Sequence, residues 1–331
     1  MTANDYIHAT SVSEAIDYYK RGDCILISGG TCALVKGMDR KLDLKKAWLD
    51  IYEIEELKQM EETDEYISIG ACVTLTNLLK SEYIETKIPL LWEAISQVGN
   101  RQIRNRATLG GNIANACPAS DCISALMVLG AQVLVQGEQG SRAIPIAKLF
   151  RKCNACLRHA GMHVRSCFFS ETTKRKLMLN EDEIIRSIEI PKQNPNYSYL
   201  FYKLTQNRSS DLAIVNMAMT GEKNKEGIIT QLNICMGGLF PKPICFDAWK
   251  DCLIGKEPKE EYFAQVAMQV AYAVDEEKDS LADYDYKRKI VPDLIIDGLK
   301  ELFLGYLMDG EKPRAGGEHE SCKSRMAGMR V

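Results

Sequence analysis

The polarity pattern divides the chain into short alternating blocks. Residues 11–19 read as a helix with Ser13 and Glu14 near its start, 24–28 as a short buried strand, 32–38 as a second helix and 47–50 as a second strand. Together these make a small α/β unit. Residues 66–71 predict the next strand. Thr74 then stands as an N-cap for a helix beginning over 74–79. Pro89 opens another helix at a favoured first-turn position, with Leu91, Ala94, Ile95 and Val98 on one apolar face. The apolar run 123–129 is followed by strand-like alternation over 132–136, and Glu138-Gln139-Gly140-Ser141 predicts a hairpin turn into 142–145. A strand over 183–190 closes the region. From residue 199 the pattern changes: strand-like segments at 199–205, 213–220 and 231–236 precede helical stretches at 261–274 and 293–307. No internal repeat interrupts this order.

Two glycine pairs break the pattern where chemistry is expected. The first lies in Ile27-Ser28-Gly29-Gly30-Thr31-Cys32-Ala33-Leu34, where an apolar run stops and resumes as a helix. The second lies in Arg104-Asn105-Arg106-Ala107-Thr108-Leu109-Gly110-Gly111-Asn112, ahead of Cys117-Pro118-Ala119-Ser120-Asp121. Paired glycines allow φ > 0 and let a ligand lie against the amides. Successive N–H groups in such a turn form a nest for anions, phosphates above all. Two such loops, each with Thr or Asn beside its glycines, predict a diphosphate gripped from two sides. No G-x-G-x-x-G follows a strand, so a Rossmann site is not indicated.

These loops resemble those of the FAD-binding subunits of the molybdenum hydroxylases, the xanthine dehydrogenase and carbon monoxide dehydrogenase family. Two further blocks agree in order: Phe201-Tyr202-Lys203-Leu204-Thr205 with its continuation to Asn216, and Met236-Gly237-Gly238-Leu239-Phe240-Pro241-Lys242-Pro243. The resemblance runs from about residue 6 to about 307. It implies an α+β protein with a two-subdomain PCMH-type FAD-binding fold, residues 1–58 and 59–192. A C-terminal domain of small antiparallel sheet plus helix bundle follows over 193–310, and residues 311–331 are expected to form a disordered tail.

The resemblance also implies the site. Non-covalent FAD would be held by Ile27, Ser28, Gly29, Gly30, Thr31, Cys32, Ala33 and Leu34 on one side of the diphosphate, and by Thr108, Gly110, Gly111 and Asn112 on the other. Asp121 falls where the family places an acidic residue near the ribose or ribityl hydroxyls, though a lone Asp is commonly a cap or turn residue. Cys117 stands where a serine is expected, and Ile185 belongs to the cofactor set. Lys203 matches a lysine that reaches the flavin, where a cation stabilises the reduced form. Phe201 and Tyr202 alternate across their strand, one facing the core and the other the ring, in an order the sequence leaves open.

By the same resemblance the chain is the electron-transfer subunit of a three-component enzyme. A large molybdopterin subunit oxidises the substrate, and an iron–sulfur small subunit relays electrons through two 2Fe–2S clusters. The flavin passes them to NAD or another acceptor. No general acid or base is nominated within this chain.

Composition narrows the picture modestly. At 331 residues, 46% hydrophobic and 26% charged, with net charge −3, the chain lacks the basic footprint of a nucleic-acid binder. No apolar run reaches the ~20 residues of a membrane span, and the N-terminus lacks signal-peptide character, so the expected compartment is the cytoplasm. Twelve cysteines without an export signal read as reduced thiols or metal ligands. Cys153, Cys156 and Cys167, with His159 or His163, have ligand types open to zinc or an iron–sulfur cluster. They fall in a segment, 151–168, that reads as an insertion, and its plainer reading is a basic loop with incidental thiols; no metal is assigned. Three other readings stay open: a stand-alone flavin oxidase or reductase of the wider fold superfamily, a metal-binding redox sensor built on that segment, and an assembly factor that no longer binds flavin.

Overall fold

The computed structural model describes residues 5–38, 46–150, 177–206, 212–239, 242–245, 252–276 and 284–305. The tail expected over 311–331 lies outside them.

The N-terminal unit is a three-stranded parallel sheet, β1 (Tyr6–His8), β3 (Ala47–Asp50) and β2 (Cys24–Ile27), in that spatial order. Helices α1 (Val12–Tyr19) and α2 (Ala33–Met38) accompany it. Ser11 caps α1 by accepting from the Glu14 amide at 3.2 Å, while the Glu14 carboxylate accepts from Thr10 N at 2.7 Å. This reciprocal arrangement satisfies two amides at the helix entrance. β1 was not expected; its three residues are too few for an alternation to register. Ile27 pairs with Asp50, so the turn after β2 leaves the sheet at its carboxyl edge.

The second unit is a five-stranded antiparallel sheet in the order β4 (Met60–Glu62), β5 (Tyr66–Gly70), β8 (Ile184–Pro191), β6 (Gln132–Gly137) and β7 (Gly140–Pro145). β4, fully exposed and acidic, is a blunted edge that periodicity cannot reveal. The helices are α3 (Leu75–Lys80), α4 (Glu82–Lys87), α5 (Pro89–Ser96), α6 (Arg101–Arg104), α7 (Leu109–Asn115), α8 (Asp121–Val128) and α9 (Ile146–Leu149). Thr74 caps α3 and Pro89 opens α5, as expected. Every residue of α8 is buried, because this helix lies between α5 and α7 on one side and the C-terminal sheet on the other.

That third sheet is antiparallel, in the order β12 (Ile244–Cys245), β11 (Ile229–Gly237), β10 (Val215–Lys223), β9 (Ser198–Leu204). Alternation gives it two buried faces. Leu200, Met217, Met219, Leu232, Ile234 and Met236 share a core with the helices α10 (Glu260–Glu276) and α11 (Tyr284–Leu304). Phe201, Ala218 and Cys235 belong to the core around α8. α11 starts at Tyr284, ahead of the expected 293, and runs through Pro292. Proline removes one intrahelical hydrogen bond there. The buried stripe Val291, Ile295, Leu299 and Leu302 carries the helix across the lost bond.

Candidate functional site

The first glycine pair makes a tight turn between β2 and α2. β2 ends at buried Ile27, Gly30 takes φ +75°, and α2 begins at Ala33. Among the described residues no acceptor is assigned to the amides of Gly29, Gly30, Thr31 or Cys32. Unpaired successive N–H groups are the substance of a nest. Thr31 and Ala33 are half-buried, whereas Cys32 and Leu34 are exposed. Ser28 departs from expectation: its hydroxyl donates inward to the Cys72 thiol at 3.3 Å, which itself donates to Ile51 O. Burial pushes that thiol up to about 11.

The first glycine pair meets the segment that leads into the second. A Cβ on Gly29 would lie 1.8 Å from the Arg106 carbonyl oxygen, so the two backbones touch with no room for a side chain. The second pair is itself helical, which corrects its reading as an open loop. Leu109 N donates to Val73 O, Gly110 N to Ala71 O, Gly111 N to Thr108 Oγ1 and Asn112 N to Thr108 O, at 2.9–3.1 Å. These amides are therefore already occupied. Thr108, 1% exposed, is the N-cap of α7, and Gly110 is buried because a Cβ there would meet Ala71 at 2.6 Å. Both build the turn and present no surface to a ligand. What remains outward is the bare, exposed backbone of Gly111 and the side chain of Asn112. Asn112 Oδ1 accepts from Ser120 Oγ at 2.6 Å, while its NH2 has no assigned partner among the described residues. Lys36, which sequence reasoning missed, bridges α2 to the end of α7 through Asn115 Oδ1. Its signal was a cation about one helical turn into the helix that follows the first glycines.

A buried ion pair stands at the junction with the C-terminal sheet. Asp121 opens α8, and its Oδ2 accepts from Lys203 Nζ at 2.7 Å, each side chain 6% exposed. Lys203 also donates to Gln97 O at 2.8 Å. Burial pushes the Asp121 carboxyl upward, opposed by the Lys203 ammonium and by a hydrogen bond from Asn216. That bond, from Asn216 Nδ2 to Asp121 Oδ1, is 3.0 Å. Asn216 sits opposite Lys203 in the β9–β10 register and is fully buried. Its NH2 also donates to Ala119 O, and its carbonyl accepts from Ser124 Oγ at 2.6 Å and Gly237 N at 3.0 Å. Gly238 N donates to Pro118 O, and buried Lys287 of α11 donates to Gly238 O. Asn216, Ser124 and Lys287 escaped the sequence reading because polar core residues carry no periodic signature, and Gln97 because it takes part only through its backbone carbonyl.

The other expected residues fall as follows. Phe201 lies buried on the strand face that carries Lys203. Tyr202 packs on the opposite face against the helix-bundle core, so it does not join Lys203 and Asp121. Ile185 is buried beside Val135 within the large core. Cys117 is half-buried between Ala116, which ends α7 at φ 49°, and Pro118. Cys153, Cys156 and Cys167 lie outside the described residues. Among the described residues no three His, Cys, Asp or Glu side chains gather as a metal site, and no helix is long and apolar enough to cross a membrane.

Comparison with known proteins matches most of the chain's length. Residues 2–193 match the FAD binding domain in molybdopterin dehydrogenase, and residues 200–302 the CO dehydrogenase flavoprotein C-terminal domain. The glyceraldehyde dehydrogenase medium chain of Sulfolobus acidocaldarius is 25% identical, the match covering 90% of this chain and 97% of the relative. The carbon monoxide dehydrogenase medium chain of Hydrogenophaga pseudoflava is 24% identical over 88% of this chain and 94% of its own. A solved structure of carbon monoxide dehydrogenase from that organism shares the fold with a TM-score of 0.79, covering 91% of this chain and 97% of that one at 22% identity. Since the FAD-binding family covers more than half its length, this chain belongs to the FAD-binding domain family of the molybdopterin dehydrogenases.

Proposed function

We propose that this chain is the FAD-carrying electron-transfer subunit of a multi-subunit molybdopterin-dependent hydroxylase or dehydrogenase. In this reading it takes electrons from the 2Fe–2S clusters of a small partner subunit and delivers them to an external acceptor such as NAD. A large molybdopterin subunit carries the substrate chemistry and with it the choice of substrate. The observation that carries the reading is the convergence of the two glycine elements, Gly29 against the Arg106 carbonyl, beside a row of amides with no acceptor assigned among the described residues. The relatives' names as medium chains support the existence of partner subunits.

The residues present fit the cofactor. Amides 29–32 and the Thr31 hydroxyl would take diphosphate oxygens, and the bare backbone of Gly111 would allow close approach while the Asn112 NH2 donates. FAD, when bound, supplies the exchange between single electrons and electron pairs. The protein fixes its position and surroundings. Lys203 holds a positive charge at the junction of the two units, and its third N–H is available to a flavin oxygen.

Native purification tests the reading. Co-purifying chains should contain molybdenum and about four irons with matching sulfide, as two 2Fe–2S clusters require. The anaerobically reduced complex should yield NADH from NAD, and removing FAD should abolish that reaction. A flavoprotein that purifies without partners and turns over a substrate alone would instead support a stand-alone oxidase or reductase.

A further inference from the structure

We propose that Asp121 is a positioning residue that lowers the flavin's reduction potential by neutralising Lys203, and that Asn216 holds it in that role. The inference rests on the flavin site proposed above and goes beyond it in assigning opposite electrostatic effects to two neighbouring residues. Sequence reasoning placed Asp121 at the ribose or ribityl hydroxyls. Within the protein each of its oxygens accepts one hydrogen bond, one from Lys203 at 2.7 Å and the other from Asn216 at 3.0 Å.

The geometry points to a charge role for three reasons. First, Lys203 has three N–H donors and spends one on Asp121 and one on Gln97 O, which leaves one for a ligand. A ligand there meets a cation that is already half of an ion pair. Second, the pair is buried, where a charge is screened far less than at the surface. Third, Asn216 is locked on all sides, by Ala119 O, Ser124 Oγ and Gly237 N as well as Asp121, so the carboxylate cannot swing away from Lys203. Reduction adds negative charge to the flavin. Lys203 favours that addition and Asp121 opposes it.

Potentiometry of the FAD-loaded protein separates this from a structural role. Lys203→Gln should lower the two-electron potential and Asp121→Asn should raise it. Each shift should be at least about 30 mV, the equivalent of tenfold in the two-electron equilibrium. Asp121→Asn brings a new NH2 against the Asn216 NH2, so folding is safeguarded by a second protein, the exchange Asp121→Asn with Asn216→Asp. The exchange preserves net charge and the hydrogen bonds to Lys203, Ser124 and Gly237, gives up the one to Ala119 O, and moves the carboxylate one hydrogen bond farther from the ammonium. It should also raise the potential, by less. FAD per chain is measured independently by acid release. Shifts of the same sign in the two single variants, or an unmoved potential in the exchange variant with FAD still bound, would overturn the inference and leave the flavin site standing. Absence of FAD from the parent protein would overturn both.

Discussion

Gly29→Ala perturbs the contact that joins the two halves of the site. The φ of Gly29 is not in the left-handed region, so the cost of a side chain is space alone. The added Cβ would sit 1.8 Å from the Arg106 carbonyl oxygen and 2.6 Å from its carbon. Ordinary contact needs about 3.5 Å, so the backbones must part by roughly 1.7 Å. Neither yields easily. Ile51 N holds the end of β2 through Ile27 O, and Ala107 N is tied to Ile103 O. Overpacking of this kind costs about 1–3 kcal/mol. If the loops relax apart in the free protein, binding must restore the strain, so FAD affinity should fall by about 5- to 150-fold. The assay is titration of apoprotein with FAD, followed by flavin fluorescence. The control is Gly227→Ala, at φ +82° with no atom within 4 Å of the new Cβ. It carries a left-handed strain of about 1–2 kcal/mol and should lower Tm without touching affinity. Parental affinity in Gly29→Ala would refute the claim that the two glycine elements grip one ligand.

Two further outcomes are expected. Arg142 grips Glu183 at 2.6 and 2.7 Å and holds its carboxyl below the ordinary value of 4.5, so this stability is complete above that pH and lost as pH falls through the lower folded value. Glu183→Gln should flatten the acid limb of a Tm–pH profile and, with Arg142 half exposed, cost about 1 kcal/mol at neutral pH; an unchanged acid limb would contradict the assignment. Cys32 is exposed while Cys24, Cys72, Cys122 and Cys235 are buried, so maleimide should modify Cys32 well before those four and FAD should slow it; a rate indifferent to FAD would take the first glycine turn out of the site.

The parts of the fold that were readable in advance are those where one face is buried and the other wet. α1, α5, the β6–β7 hairpin and the β9–β11 strands follow their apolar spacing or turn residues closely. Elements without that contrast were lost or displaced: three-residue β1, exposed β4, and α11, which begins at Tyr284, ahead of the expected 293, and carries Pro292 inside it. The site divides in the same way. A glycine pair announces close backbone approach, and both pairs deliver it. Gly110-Gly111 could not be told from a φ > 0 turn, because Thr108 as N-cap and Ala71 as packing neighbour make that segment helical. The Lys203–Asp121–Asn216 network joins residues up to 95 positions apart, and only tertiary structure brings them together.

Identification of the released cofactor tests the central claim most directly. Native protein is desalted, denatured in acid, and the supernatant separated by chromatography while the polypeptide is checked for residual colour. Two glycine elements closing on a diphosphate require FAD, released without covalent attachment, at about one per chain. FMN as the released flavin, colour retained on the denatured polypeptide, or protein that neither carries nor takes up FAD would contradict the account.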